Sequence, residues 1–79
     1  MEETVDIDGK MYRVVVFSNI IDDTMCLELW DTAGFMVACV DYHDEGGRMT
    51  FDCFMPELPL GVVEWVVANA RKRLPPATA

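Results

Sequence analysis

Cationic side chains are scarce in this sequence. Its 79 residues carry six Lys and Arg against fourteen Asp and Glu, a net charge of −8. Binding nucleic acid depends on cations that displace counterions from a polyanion, so this balance argues against that partner. Histidine occurs once, as His43, and no Ser/His/Asp or Cys/His constellation can be assembled around it. Cys26, Cys39 and Cys53 are odd in number and lack CxxC spacing, which fits neither a disulfide framework nor a zinc site. Reduced thiols, with no metal and no cofactor, are the expectation. No glycine-rich phosphate loop is present, because Gly46-Gly47 lies between two strand-like runs and not ahead of a helix. The longest apolar runs, Val14–Phe17 and Phe35–Val40, fall far short of the ~20 residues that a membrane-spanning helix needs. The first residues, Met1-Glu2-Glu3-Thr4, are acidic and lack the apolar core of a signal peptide. The expectation is a soluble, cytoplasmic protein with no membrane partner.

What the sequence has in excess is apolar surface. Hydrophobic residues make up 52% of the chain, above the usual ~45–50%. A chain this short buries only about 60% of the surface its unfolded form exposes. Apolar content is therefore high while the interior able to hide it is small. Domains in this position often gain margin from a partner subunit.

Turn signals divide the chain. Asp8-Gly9 is a two-residue hairpin signal. Ser18–Asp23 reads as a loop, Asp31-Thr32-Ala33-Gly34 as a turn with Asp first and Gly last, and Asp44-Glu45-Gly46-Gly47 as a further turn. Between them lie Thr4–Ile7, Met11–Phe17, Thr24–Trp30, Phe35–Tyr42 and Arg48–Phe54, rich in strand-forming residues. Pro59 suits the first turn of a helix over Leu60–Leu74, and Pro75-Pro76 stops it. The run Arg71-Lys72-Arg73 then complements the negative end of the helix dipole. The predicted fold is α+β, an antiparallel meander of four or five strands with one C-terminal helix packed on one sheet face. A single domain over residues 1–74 is expected, with 75–79 as a frayed tail. Four strands followed by a helix resembles the architecture of some single-stranded-DNA-binding coactivators, but the acidic charge opposes that function.

Hairpin registers assign the faces. Pairing Phe17 with Thr24, Trp30 with Phe35 and His43 with Arg48 gathers Tyr12, Val14, Val16, Met25, Leu27, Leu29, Met36, Ala38, Val40, Tyr42, Met49, Phe51 and Cys53 on one face. The helix should cover that face with a stripe of Val63, Val66, Val67, Ala70 and Leu74. The second face mixes apolar and charged groups and sets Arg13 opposite Glu28 and Cys26 opposite Cys39. Its large apolar members, Val15, Phe17, Trp30, Phe35, Val37 and Phe54, together with Trp65 on the helix's outer side, form the candidate interface. The expectation is a non-enzymatic interaction module that forms a homodimer or docks on a protein partner through this open face. The alternative is a ligand-binding or acid/base site around Asp41 and Asp52, which lie diagonally on that face beside Thr50. His43 sits next to Asp44-Glu45, an arrangement that reads as a solvated turn. Neither acidic turn matches a twelve-residue calcium loop.

Overall fold

A computed structural model describes residues 1–76. Ala77, Thr78 and Ala79, the end of the expected tail, lie outside the described residues. The chain forms β1 (Glu2–Ile7), β2 (Lys10–Asn19), β3 (Thr24–Trp30), β4 (Met36–His43), β5 (Arg48–Cys53) and α1 (Leu60–Arg73). The strands make one antiparallel sheet in the order β1-β2-β3-β4-β5. The α+β meander with one C-terminal helix is the fold the sequence predicts, with the N-terminal run as a full fifth strand.

The Asp8-Gly9 turn has positive φ at both residues, 54° and 88°, the pairing that a tight hairpin requires. Asp6 holds it through a 2.8 Å bond from the Gly9 N–H to its carboxylate. The β4–β5 hairpin has the expected register, with His43 opposite Arg48 and Ala38 opposite Cys53.

The other two registers are two residues away from expectation. Strand β2 continues through Ser18 and Asn19, so Phe17 faces Cys26 and not Thr24. The Asn19 side chain tightens the turn by donating to Asp22 at 3.1 Å and accepting its backbone N–H at 3.4 Å. In the next hairpin Asp31 closes the turn, accepting the N–H groups of Ala33 and Phe35 on its carboxylate at 2.9 Å each. This pairs Trp30 with Met36, one residue beyond the expected Phe35. A bulge then adds one more, so Leu29 faces Ala38 and Val37 is the extra residue. A two-residue shift preserves sidedness, because side chains alternate with period two. The faces therefore hold from Ala38 onward.

Only Met36 and Val37 change sides. Met36 joins Trp30, and Val37, expected on the open face, is 0% exposed in the core. The shifted registers also move two expected pairs. Arg13 faces Trp30, with its guanidinium 5.4 Å from the ring, and pairs with Glu2 at 3.4 Å. Glu28 instead accepts the Trp30 indole N–H at 3.1 Å. Cys26 faces Asp41 and Cys39 faces Glu28, so the two thiols are not opposed.

Helix α1 begins on Pro59, whose carbonyl accepts the N–H groups of Val62 and Val63 at 3.0 and 3.2 Å. It buries Val62, Val66 and Ala70, with Leu74 just past its end. Val63 and Val67 are only half-buried, and Trp65, expected on the outer side, packs against the core. The segment is apolar on several sides, so residue spacing alone fixes its rotation poorly. Two contacts align the helix antiparallel to β1. Arg73 near its C-terminus pairs with Glu3, and at its N-terminus a Cβ on Gly61 would collide with the Asp8 carboxylate. The core lies beneath it: Ile7, Tyr12, Val14, Leu27, Leu29, Val37, Ala38 and Val40.

Leu27, in the central strand, has no exposed surface. Leu27→Ala deletes a buried side chain and leaves a cavity, so urea denaturation should show a loss of ~2–5 kcal/mol. A loss under ~1 kcal/mol would contradict the face assignment.

Candidate functional site

The sheet face opposite α1 has no covering element among the described residues. Across its middle runs the row Glu2, Val15, Glu28, Cys39 and Asp52, and beside it Phe17, Cys26, Asp41 and Thr50. Apolar and acidic groups therefore alternate. Of the seven residues expected to form an interface, Val15, Phe17, Trp30, Phe35 and Phe54 keep exposed or half-exposed surface. Val37 belongs to the core, and Trp65 lies on the helix-covered side.

Asp41 and Asp52 do sit diagonally on adjacent strands, with Thr50 opposite Asp41. The Cys39 sulfur and one carboxylate oxygen from each of these acids lie within 4.8 Å of one another. This is the one set of described residues that brings three metal-type donors together. Burial, followed by the charges of Asp41 and Asp52, pushes the Cys39 thiol up to about 11. Cys26 also rises to about 11, through burial first and then its hydrogen bond to Asp41. Both thiols are protonated at neutral pH, and protonated thiols are weak nucleophiles. Asp41 and Asp52 are not among the residues that line the three principal cavities.

His43 belongs to β4, not to the turn, and its Nε2 lies 3.1 Å from the Thr50 hydroxyl. With Asp22, Asp23, Asp44, Glu45, Gly46 and Arg48 it lines an open hollow of about 580 Å³. The remaining concavity of note is on the helix side. Val40, Met49, Phe51, Val67, Ala70 and Arg71 line a groove of about 340 Å³ between α1 and β5. The expected cover there is missing: Phe51 is 39% exposed and Cys53 is exposed, although both lie on the inward face. The reason is the course of the helix, which packs chiefly on β4 and β1 and so gives β5 little cover.

The raised thiols give a pH dependence. A thiol held protonated in the fold ionises more readily once unfolded, near its ordinary 9.0. The associated stability is present in full below pH 9.0 and is lost as pH rises through about 11. Urea denaturation between these limits should show falling stability. The Cys26→Ser/Cys39→Ser variant should lose less over the same window, and an equal loss in both proteins would contradict this assignment.

No protein-family model matches this sequence, and no curated protein or solved structure matches it.

Proposed function

We propose that this domain is a non-enzymatic interaction module that works as a self-associated pair. One observation carries the reading: none of its four phenylalanines is buried. Phe17, Phe35, Phe51 and Phe54 are 38%, 69%, 39% and 54% exposed. Phenylalanine is among the residues most often found inside, and aromatic residues are enriched where proteins meet. A domain that builds its core from Leu, Val, Ala, Ile and Tyr, and leaves every Phe in reach of solvent, has apolar surface suited to a second protein surface.

The closed arrangement met most often is the two-fold dimer. The open sheet face offers Val15, Phe17, Trp30, Phe35 and Phe54 to such a contact, with Glu28, Asp41 and Asp52 interrupting them. Among the described residues no ion pair involves those three acids. Burying them unpaired would be costly, and Glu28 lies on the central strand, so a contact on this face has to keep these acids at its rim or pair them across the axis with Arg13 of the second copy.

Light scattering over a concentration series tests self-association. The expected mass at high micromolar concentration is twice the 8.9 kDa of one chain. A mass that stays at one chain throughout would overturn the reading.

A further inference from the structure

We infer that the self-association proposed above runs through the free edge of β5, which pairs antiparallel with β5 of a second copy about a two-fold axis at Thr50. Strand β5 is hydrogen-bonded to β4 alone, and among the described residues no backbone bond outside that ladder involves residues 48–53. Its outward groups can be assigned. Phe54 donates its N–H to the Val37 carbonyl at 2.9 Å, in step with the β4–β5 register. Backbone groups in an antiparallel strand alternate between its two sides. Arg48, Thr50 and Asp52 therefore point theirs at β4, and Met49, Phe51 and Cys53 point theirs outward.

The sequence of this edge complements itself. With Thr50 on the axis, Met49 faces Phe51 of the second copy as a hydrogen-bonded pair. Each such pair exchanges two backbone bonds, and the symmetry repeats it. On the opposite face Arg48 falls opposite Asp52 of the second copy, again twice. Opposed charges stabilise a cross-strand pair, and like charges directly opposite destabilise it. Both copies keep α1 on the same side of the joined sheet. Phe51 and Met49 of one copy then extend the apolar wall of the other's groove beside Val67 and Ala70.

The other free edge, β1, is unsuited to the same contact. Its residues are Glu2-Glu3-Thr4-Val5-Asp6-Ile7. A two-fold axis on Thr4 would set Glu2 against Asp6 of the second copy, acid against acid at both ends. Natural edges are commonly guarded by charge, Lys, Pro or a bulge. Acidic β1 is guarded in this way. Strand β5 has no Lys, Pro or bulge, and its two charges are of opposite sign.

This inference rests on self-association, and one experiment separates its failure from failure of that reading. Arg48→Asp and Asp52→Arg are made singly, and both sites are exposed, so folding is checked by circular dichroism and should be retained. Each variant alone sets like charges opposite each other at two positions, and its dissociation constant should rise about tenfold or more. Mixing the two restores an acid opposite an arginine at both positions. A heterodimer should form at a concentration where each variant alone sediments as a monomer. If wild type is dimeric but both single variants remain dimeric, or the mixture stays monomeric, the β5 edge is not the contact. If wild type itself is monomeric, self-association and this surface are both overturned.

Discussion

One helix has to cover five strands, and the rest of the structure follows from that shortage. A helix is about 10–12 Å across, whereas five strands spaced ~4.8 Å apart span roughly 19 Å. Coverage of even one face is therefore partial, and the position of the helix decides which strands are left open. The Arg73–Glu3 pair and the close approach of Gly61 to Asp8 tie α1 to the β1 side. Leu27, Leu29 and Val14 lose all their surface under it, while Phe51 on β5 does not. In a chain with 52% hydrophobic residues, part of what stays uncovered is apolar, Phe51 on β5 included.

Much of this was legible because sheets encode sidedness with period two. The β4–β5 register could be read directly from the Asp44–Gly47 turn. The β2–β3 and β3–β4 registers were displaced by two, yet Leu27, Leu29, Ala38 and Val40 still fell on the buried face. The Val37 bulge was not legible. Its cause is the five-residue closure from Asp31 to Phe35, where carboxylate bonds to two backbone N–H groups decide the geometry. The turn shifts the pairing by one and the bulge by one more, so the error concerned Met36 and Val37 alone. The helix rotation was obscured for a different reason. Val62, Val63, Trp65, Val66 and Val67 surround much of the segment, and burial of Val62 with Trp65 alongside is a tertiary choice among nearly equivalent stripes.

The candidate site shows the same division. The diagonal of Asp41 and Asp52 follows from alternation and was read correctly. The approach of the Cys39 sulfur to both acids follows from the β4–β5 register, which sets Cys39 opposite Asp52 and two residues from Asp41, whereas the shifted register of β3 and β4 separates Cys39 from Cys26. The openness of β5 depends on helix placement, a long-range property that no local pattern contains. Strand composition separates the two edges in another way: the charges of β1 are all acidic, whereas β5 has one of each sign.

Backbone amide exchange, followed residue by residue across the concentration range over which dimerisation is proposed, reads the fate of the β5 edge. The N–H groups of Met49 and Phe51 should exchange freely in the dilute protein and become protected about tenfold or more in the concentrated one. The outward amides of β1, Glu2, Thr4 and Asp6, should stay fast at both concentrations. Protection that appears on dimerisation at other positions, with Met49 and Phe51 unchanged, would contradict pairing through β5.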